Sequence, residues 1–379
     1  MTLSSKLPYV GTTIFTVMSK LANEQNAINL SQGFPGFLGD KHLQDLVTKY
    51  MKEGKNQYAP MSGVIELREQ LCSKINGLYN SNYNSDEITI TAGATQAIYT
   101  AITAVVNKDD EVIVFDPAYD CYEPAIELNG GKTIHLKLKH PNYSIDFEEL
   151  SSSINSKTRL IIINSPHNPT GSMISKNEMF RLEEMLKDTD IYLISDEVYE
   201  HISYDNATHE SASKYPYLKE RSFIISSFGK TFHNTGWKMG YCTAPKYLMD
   251  EFKKVHQFLV FSCNTPMQYA LAEYLKDESK YLELPSFYQK KRDTFRNLIQ
   301  NSRFKLLDCS GTYFQLLDYY NITDEKDVDF AIRLTKEFKV ASIPISVFYK
   351  SKEDNKVLRF CFAKEEETLI KAAEVLCKI

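Results

Sequence analysis

The middle of the chain alternates between two hydrophobic patterns. Short, nearly continuous apolar runs predict strands that are buried on both faces of a sheet. Between them lie longer segments with helically spaced apolar residues, such as 94–106 and 175–187. Strands that alternate with helices in this way predict a mostly parallel α/β sheet. The predicted strands are Ile88–Thr91, Glu111–Asp116, Lys132–Leu138, Arg159–Asn164, Ile191–Asp196 and Phe223–Phe228.

The C-terminal part has a different pattern. A long amphipathic helix over Ser286–Asn301 precedes three strand-like pieces and two further helical segments. This order predicts a smaller α+β domain. We expect a large domain at 40–280 and a small domain made of 1–39 and 281–379, because the segment before Ser31 is too short to fold alone. The strand-like pieces are Thr312–Leu317, Val340–Ile343 and Val357–Phe362, and the helical segments are Val328–Phe338 and Glu366–Leu376.

Composition agrees with two globular domains. The chain has 379 residues, of which 43% are hydrophobic and 25% charged, enough for a large buried core. The net charge of −5 argues against a nucleic-acid partner. No apolar run approaches the roughly 20 residues that span a bilayer, and residues 1–20 lack the pattern of a signal peptide.

The seven cysteines are widely spaced and odd in number. They form no C-x-x-C motif and no Cys/His cluster with the spacing of zinc ligands. We therefore expect free thiols in a reducing cytoplasm and no metal site.

Polar residues follow several predicted strands, where ligands bind in open α/β sheets. Asp196 ends a buried strand, and a buried carboxylate is costly without a cation or hydrogen bonds. Lys230 lies in a turn of small residues after the next strand, and Asn168 lies in a loop fixed by two prolines. Arg359 stands alone in an apolar strand, although only nine of the 44 basic residues are arginine. Each residue alone also fits an ordinary role, as a helix cap, a surface lysine, a turn or a structural ion pair.

Together, and in this order, the motifs resemble the class I and II pyridoxal-phosphate aminotransferases of fold type I. The resemblance covers nearly the whole chain and is greatest to the methionine aminotransferase and kynurenine/glutamine aminotransferase branch. It implies an α/β fold with a mostly parallel seven-stranded sheet and a smaller α+β domain. The motifs that carry it are Ser31–Pro35, Asn56–Tyr58, Phe115–Asp120, Asn164–Gly171, Asp196–Glu200 and Ser226–Gly240.

The resemblance assigns catalytic and cofactor roles. It implies that Lys230 bonds covalently to pyridoxal 5′-phosphate and later shuttles a proton. Asp196 would keep the pyridine nitrogen protonated. Tyr199 and Asn168 would bind the 3′-oxygen of the cofactor, and Tyr119 would stack on its ring.

A second group of residues is assigned to the phosphate. Backbone amides at a helix start would bind it, with help from a hydroxyl and a lysine. Many relatives have arginine at the position of Lys238. Lysine keeps the positive charge but lacks the forked N–H groups of a guanidinium. This group comprises Gly93, Ala94, Thr95, Ser227 and Lys238.

Tyr58 would reach the phosphate of a neighbouring subunit, so the resemblance implies a homodimer with shared active sites. On the substrate side, Arg359 would bind the α-carboxylate. No second arginine is evident for an acidic side chain, and aromatic residues suggest an apolar slot. The other expected substrate-binding residues are Asn164, Gly33, Phe15, Tyr122 and Phe261.

These assignments predict ping-pong transfer of an amino group from an L-amino acid to a 2-oxo acid. The expected donors have hydrophobic, aromatic or sulfur-containing side chains, such as methionine, kynurenine, phenylalanine, tyrosine or glutamine. A β-lyase that acts on cystathionine or cysteine conjugates is the alternative, because the same lysine and aspartate serve elimination. The products distinguish the two reactions, since elimination gives pyruvate and ammonia.

Overall fold

The computed structural model describes residues 4–379 of the chain. The strands are β1 (Ile28–Asn29), β2 (Ile88–Thr91), β3 (Glu111–Asp116), β4 (Lys132–Lys137), β5 (Thr158–Asn164), β6 (Tyr192–Asp196), β7 (Ser222–Ser227), β8 (Gly240–Thr243), β9 (Lys305–Leu306), β10 (Phe314–Asp318), β11 (Val340–Ala341), β12 (Ile343–Pro344) and β13 (Val357–Cys361). The helices are α1 (Ile14–Glu24), α2 (Lys41–Lys52), α3 (Ile65–Tyr79), α4 (Ala94–Val105), α5 (Tyr122–Leu128), α6 (Phe147–Ser153), α7 (Lys176–Leu186), α8 (Pro216–Lys219), α9 (Phe228–Thr231), α10 (Lys246–Leu259), α11 (Thr265–Tyr274), α12 (Ser279–Leu282), α13 (Leu284–Ile299), α14 (Asp327–Glu337) and α15 (Glu366–Leu376).

Seven strands form the central sheet in the order β2-β8-β7-β6-β5-β3-β4. β8 runs antiparallel to both of its neighbours, and the other pairs are parallel. The apolar residues in the middle of these strands are buried, because apolar side chains pack on both faces of the sheet. The predicted α/β fold with a mostly parallel seven-stranded sheet is therefore confirmed.

The register of this sheet brings polar residues together at one edge. Asn164 at the end of β5 is the partner of Asp196 at the end of β6. β7 lies next along the sheet and leads directly into α9, which carries Lys230. Three predicted functional residues therefore lie where neighbouring parallel strands end.

A second sheet has the antiparallel order β12-β13-β10-β9, and a short parallel pair joins β1 to β11. Helix α1 lies near α14 on this side, so the residues before Ser31 pack on the C-terminal part. Backbone hydrogen bonds join the two parts, including one from Ala118 N to Phe348 O at 2.9 Å. The domain bounds at 39/40 and 280/281 stay a prediction.

Three local predictions differ from the structure. The predicted strand Val340–Ile343 is two strands, because β11 pairs with β1 whereas β12 pairs with β13. The strand predicted at Phe223–Phe228 ends at Ser227, since Phe228 already begins α9. β8 was not predicted at all, and only its first residue, Gly240, lies in the Ser226–Gly240 motif. Across residues 4–379, no helix is long and apolar enough to cross a membrane.

Candidate active site

Asp196 is a buried carboxylate at the end of β6. The Tyr122 hydroxyl donates to its Oδ2 at 2.6 Å, and Val198 N donates to its Oδ1 at 3.4 Å. No basic side chain of the described chain lies within 4.0 Å of it. Burial raises the pKa of Asp196 to about 6. A buried acid without a cation suits a ligand that brings a positive charge.

Lys230 lies in α9, the short helix that follows β7. Its Nζ donates to Gly33 O at 3.0 Å and to the Tyr313 hydroxyl at 3.1 Å. Burial, with help from the nearby cations Arg359 and Lys238, lowers the pKa of Lys230 to about 8. A substantial fraction of this amine is therefore neutral near pH 8, as a nucleophile or general base requires.

Asn164 and Asn168 connect the sheet edge to Arg359. Asn164 Nδ2 donates to Asp196 O at 2.8 Å, and Asn164 Oδ1 accepts from Asn168 N at 2.8 Å. Asn168 Oδ1 in turn accepts from Arg359 Nη1 at 2.7 Å. This chain of hydrogen bonds fixes the position of the arginine relative to Asp196.

Arg359 is a buried cation at the centre of β13, and only 1% of its surface is exposed. Nη2 donates to Ser31 O at 3.2 Å, but Nε has no hydrogen-bond partner within residues 4–379. Its guanidinium carbon lies 3.9 Å from the Phe314 ring centroid and 5.3 Å from that of Phe15. A buried guanidinium with an unpartnered N–H suits a carboxylate ligand.

The start of α4 lies beside Lys238 at one cavity, and it offers groups of the kind that bind anions. Gly93, the residue before α4, has φ +83°, and a Cβ there would lie 3.4 Å from the Lys238 side chain. Gly240 is more tightly confined, because a Cβ would lie 2.8 Å from Ser226 O and 3.0 Å from Ala94 N. No side chain caps this helix start, so its backbone amides are available to a phosphate.

A cavity of about 130 Å³ lies between these groups. Every predicted cofactor-binding residue except Tyr58 lines it: Gly93, Ala94, Thr95, Tyr119, Asn168, Asp196, Tyr199, Ser227, Lys230 and Lys238. Asn164, which was expected on the substrate side, lines this cavity as well. The sequence reasoning missed Ile98, Val198, Gly229, Thr235 and Met239, although the hydroxyl of Thr235 five residues after Lys230 was a usable signal.

A larger cavity of about 730 Å³ adjoins the first and shares Tyr119, Asn168, Tyr199, Lys230 and Thr235 with it. It adds Phe15, Gly33 and Arg359, as expected, together with Phe34 and Phe314. Polar residues of α1 and Gln32 form its outer end. The structure therefore places an aromatic slot next to the buried arginine.

Two predicted substrate-binding residues lie elsewhere. Tyr122 is buried beneath Asp196, and its hydroxyl is hydrogen-bonded to that carboxylate. It therefore lines neither of these two cavities. Phe261 is 54% exposed and packs edge to face on Tyr58, with 5.2 Å between ring centroids. Tyr58 is 81% exposed and does not line either cavity of its own chain.

Known proteins are similar to this chain along nearly its whole length. The family model described as aminotransferase class I and II matches residues 25–376. The chain is 49% identical over 374 residues to a methionine aminotransferase of Escherichia coli, covering 98% of this chain and 97% of the relative. It is 31% identical to kynurenine–oxoglutarate transaminase 3 of Homo sapiens, covering 98% and 89%. A solved structure of an Escherichia coli protein with a methionine aminotransferase function superimposes over all of both chains, with a TM-score of 0.98 and 48% identity.

Proposed function

The chain belongs to the aminotransferase class I and II family and is an aminotransferase, and from that premise we propose its cofactor and substrates. The cofactor is pyridoxal 5′-phosphate, on which this family generally depends. The donor is an L-amino acid with a hydrophobic, aromatic or sulfur-containing side chain, and the acceptor is a 2-oxo acid. The observation that carries this proposal is the buried Arg359 beside an aromatic slot, whose Nε has no hydrogen-bond partner within residues 4–379.

The residues of the smaller cavity fit this cofactor. Asp196 offers a buried negative charge to a protonated ring nitrogen. The start of α4 and Lys238 offer amides and a cation to a phosphate, and the absence of a Cβ at Gly93 leaves room for close approach. Lys230 offers an amine of lowered pKa to an aldehyde.

When bound, pyridoxal 5′-phosphate supplies an aldehyde carbon that takes up the amino group and a ring that accepts electrons from the substrate α-carbon. Asp196 holds a proton on the ring nitrogen, and Tyr122 holds Asp196 in place. Lys230 Nζ would take the proton from the substrate α-carbon as general base and, as general acid, deliver it to the carbon that was the cofactor's aldehyde carbon. Tyr199 and Asn168 line both cavities, so they orient the ligand in each of them.

Arg359 and the aromatic residues select the substrate. The guanidinium binds the α-carboxylate through its unpartnered Nε and a neighbouring N–H. Phe15, Phe34 and Phe314 then contact the side chain. Among the residues that line this cavity, Arg359 is the only arginine, and Lys20 is exposed at the rim. A slot of this kind distinguishes apolar side chains by only about 1–3 kcal/mol, which favours several donors.

The exposed aromatic patch around Tyr58 supports a homodimer. Tyr58, Phe258 and Phe261 are 81%, 88% and 54% exposed, and a second copy of the chain would bury them. In that dimer, Tyr58 completes the phosphate site of the partner subunit. Mixing Lys230→Ala subunits with Tyr58→Ala subunits tests this, because one site of each mixed dimer keeps both native groups. Activity that neither variant shows alone is expected, and its absence after subunit exchange has been demonstrated contradicts shared sites.

Absorbance spectroscopy tests the proposed function. The purified enzyme should carry a visible absorbance band from the bound cofactor, and methionine without an acceptor should bleach it. The bleaching should yield one equivalent of 2-oxo acid for each site and no free ammonia. Lys230→Ala in amine-free buffer is the control and should lack the band. A protein without the band, or one that releases pyruvate and ammonia from a β-substituted amino acid as its main reaction, contradicts the proposal.

A further inference from the structure

Tyr313, from the C-terminal part of the chain, contacts the amine of Lys230. It is fully buried and lies directly before β10. Its hydroxyl accepts from Lys230 Nζ at 3.1 Å and donates to Gly33 O at 2.7 Å. The same Gly33 oxygen accepts from Lys230 Nζ at 3.0 Å. The phenol, the carbonyl and the amine therefore form a closed triangle of hydrogen bonds.

The position of this phenol is fixed by its surroundings. Phe362 N donates to Tyr313 O at 3.0 Å, which anchors the backbone. The ring packs edge to face on Tyr199 at 5.2 Å and lies 5.7 Å from Tyr288. Burial raises the pKa of the Tyr313 phenol well above its usual range, so the hydroxyl stays neutral. A neutral, fixed phenol can accept a hydrogen bond from an ammonium group at any pH near neutrality.

The Gly33 carbonyl is fixed as well. Arg359 Nη2 donates to Ser31 O at 3.2 Å, and Gly36 N donates to Ala363 O at 2.8 Å. A Cβ at Gly33 would lie 3.0 Å from the Phe314 ring, so the segment is tightly packed there. Both acceptors of the Lys230 amine are thus held before the amine arrives.

We propose that Tyr313 is a positioning residue which, with the Gly33 carbonyl, holds the Lys230 amine whenever that amine is not bonded to the cofactor. This inference rests on the proposed function, in which Lys230 leaves the cofactor in each catalytic cycle. Tyr313 keeps the freed amine between the two cavities and stabilises its protonated form. Removing the hydroxyl takes one acceptor from the ammonium, and charge-assisted hydrogen bonds are stronger than neutral ones.

The proton affinity of Lys230 in the cofactor-free protein tests this role. Several other groups influence the same amine: Asp196 from β6, Arg359 and Cys361 from β13, Lys238 before β8, and Tyr199. The variant Tyr313→Phe leaves all of them in place. The protein is labelled with trace acetic anhydride across a pH series, and mass spectrometry follows the peptide that carries Lys230. The labelling gives the pH midpoint at which the Lys230 amine loses its proton. The exposed Lys276 serves as internal reference.

We expect Tyr313→Phe to lower the midpoint by about 0.5–1 pH unit, a roughly three- to tenfold weaker affinity for the proton. Tyr288→Phe is the matched control, because Tyr288 is also fully buried beside Tyr313 but its hydroxyl has no hydrogen-bond partner within residues 4–379. This control should leave the midpoint unchanged. An unchanged midpoint in Tyr313→Phe, or an equal shift in Tyr288→Phe, overturns the proposal.

A measurement on the wild-type enzyme covers the case in which Tyr313→Phe does not fold. A crystal structure of the holoenzyme with α-methylmethionine, which has no α-proton to lose, should show the released Lys230 Nζ within hydrogen-bond distance of Tyr313 and Gly33 O. An amine that points elsewhere overturns the proposal. The labelling experiment needs no cofactor or substrate, so a protein that fails to transaminate yet shows the midpoint shift refutes only the proposed function.

Discussion

The two walls of the active site leave opposite charges without a partner. The cofactor wall consists of Asn164, Asp196 and Lys238 with the start of α4, and within residues 4–379 no basic side chain pairs with the buried Asp196. The substrate wall consists of Phe15, the segment 32–34, Phe314 and Arg359, and within residues 4–379 no carboxylate pairs with the buried Arg359. Two buried charges of opposite sign, in adjoining cavities, indicate two ligand groups of the complementary signs.

The walls also differ in how closely they specify a ligand. The cofactor wall is built at the ends of neighbouring strands, and its polar groups converge on a cavity of about 130 Å³. The substrate wall combines aromatic rings with one cation around about 730 Å³. A small polar cavity suits one ligand, whereas a large aromatic slot accepts side chains of several shapes.

Lys230 borders both cavities, so its loss affects both walls most severely. We expect Lys230→Ala to lower the rate of 2-oxo acid formation by roughly 10⁴-fold or more, because nucleophile and proton carrier are removed together. Steady-state assays with methionine measure the rate, and circular dichroism confirms the fold. A loss below about 100-fold would mean that another group carries the proton.

Arg359→Lys separates the two walls. We expect kcat/KM to fall by about 100-fold for every α-amino acid, because the fork that binds a carboxylate is lost. The dissociation constant of the cofactor should stay within about threefold, since Arg359 is not part of the phosphate site. Arg292→Lys is the matched control, because Arg292 is also buried but is paired with Asp205. A large loss of cofactor affinity in Arg359→Lys would place this residue on the cofactor wall.

Asp196→Asn tests the unpaired charge of the cofactor wall. The pKa of Asp196 is about 6 in the folded protein against 3.8 for an unperturbed aspartate, so the folded state binds the proton more tightly. Its contribution to stability is therefore present below about pH 4 and is lost as the pH rises through 6. At pH 8, the cofactor-free variant should be about 1–3 kcal/mol more stable than wild type, with little difference at pH 4. Urea unfolding at both pH values measures the free energy of unfolding of variant and wild type. An equal difference between them at both pH values would refute an unpaired carboxylate.

Phe15→Ala has the smallest expected effect and sharpens the account of the substrate wall. Losing the ring should lower kcat/KM for methionine and phenylalanine by about tenfold and leave alanine nearly unchanged. Steady-state kinetics with the three amino acids provide the comparison. An equal loss for all three would indicate that Phe15 acts by holding Arg359, whose guanidinium carbon lies 5.3 Å from its ring centroid.

The sequence was sufficient for groups whose chemistry conflicts with their surroundings. Asp196 at the end of an apolar strand and Arg359 within one could be identified as candidate site residues, because a buried charge is costly unless another group compensates it. The parallel sheet followed from continuous apolar runs. The order of its strands, and the place of β8 between β2 and β7, depend on long-range pairing that no local pattern reveals.

Aromatic residues were harder to assign, because a ring in a core and a ring in a site have the same sequence pattern. Tyr122 was expected in the substrate slot but lies beneath Asp196. Tyr313 was not singled out at all, although its hydroxyl contacts Lys230. Their roles depend on which group each hydroxyl contacts, which only the packed structure shows.

The ratio of kcat/KM for methionine to kcat/KM for aspartate tests the contrast between the walls most directly. With one buried cation for the α-carboxylate and aromatic rings around the side chain, methionine should be preferred by about 100-fold or more, because the second carboxylate would be buried without a partner. Aspartate used as well as methionine would contradict the account.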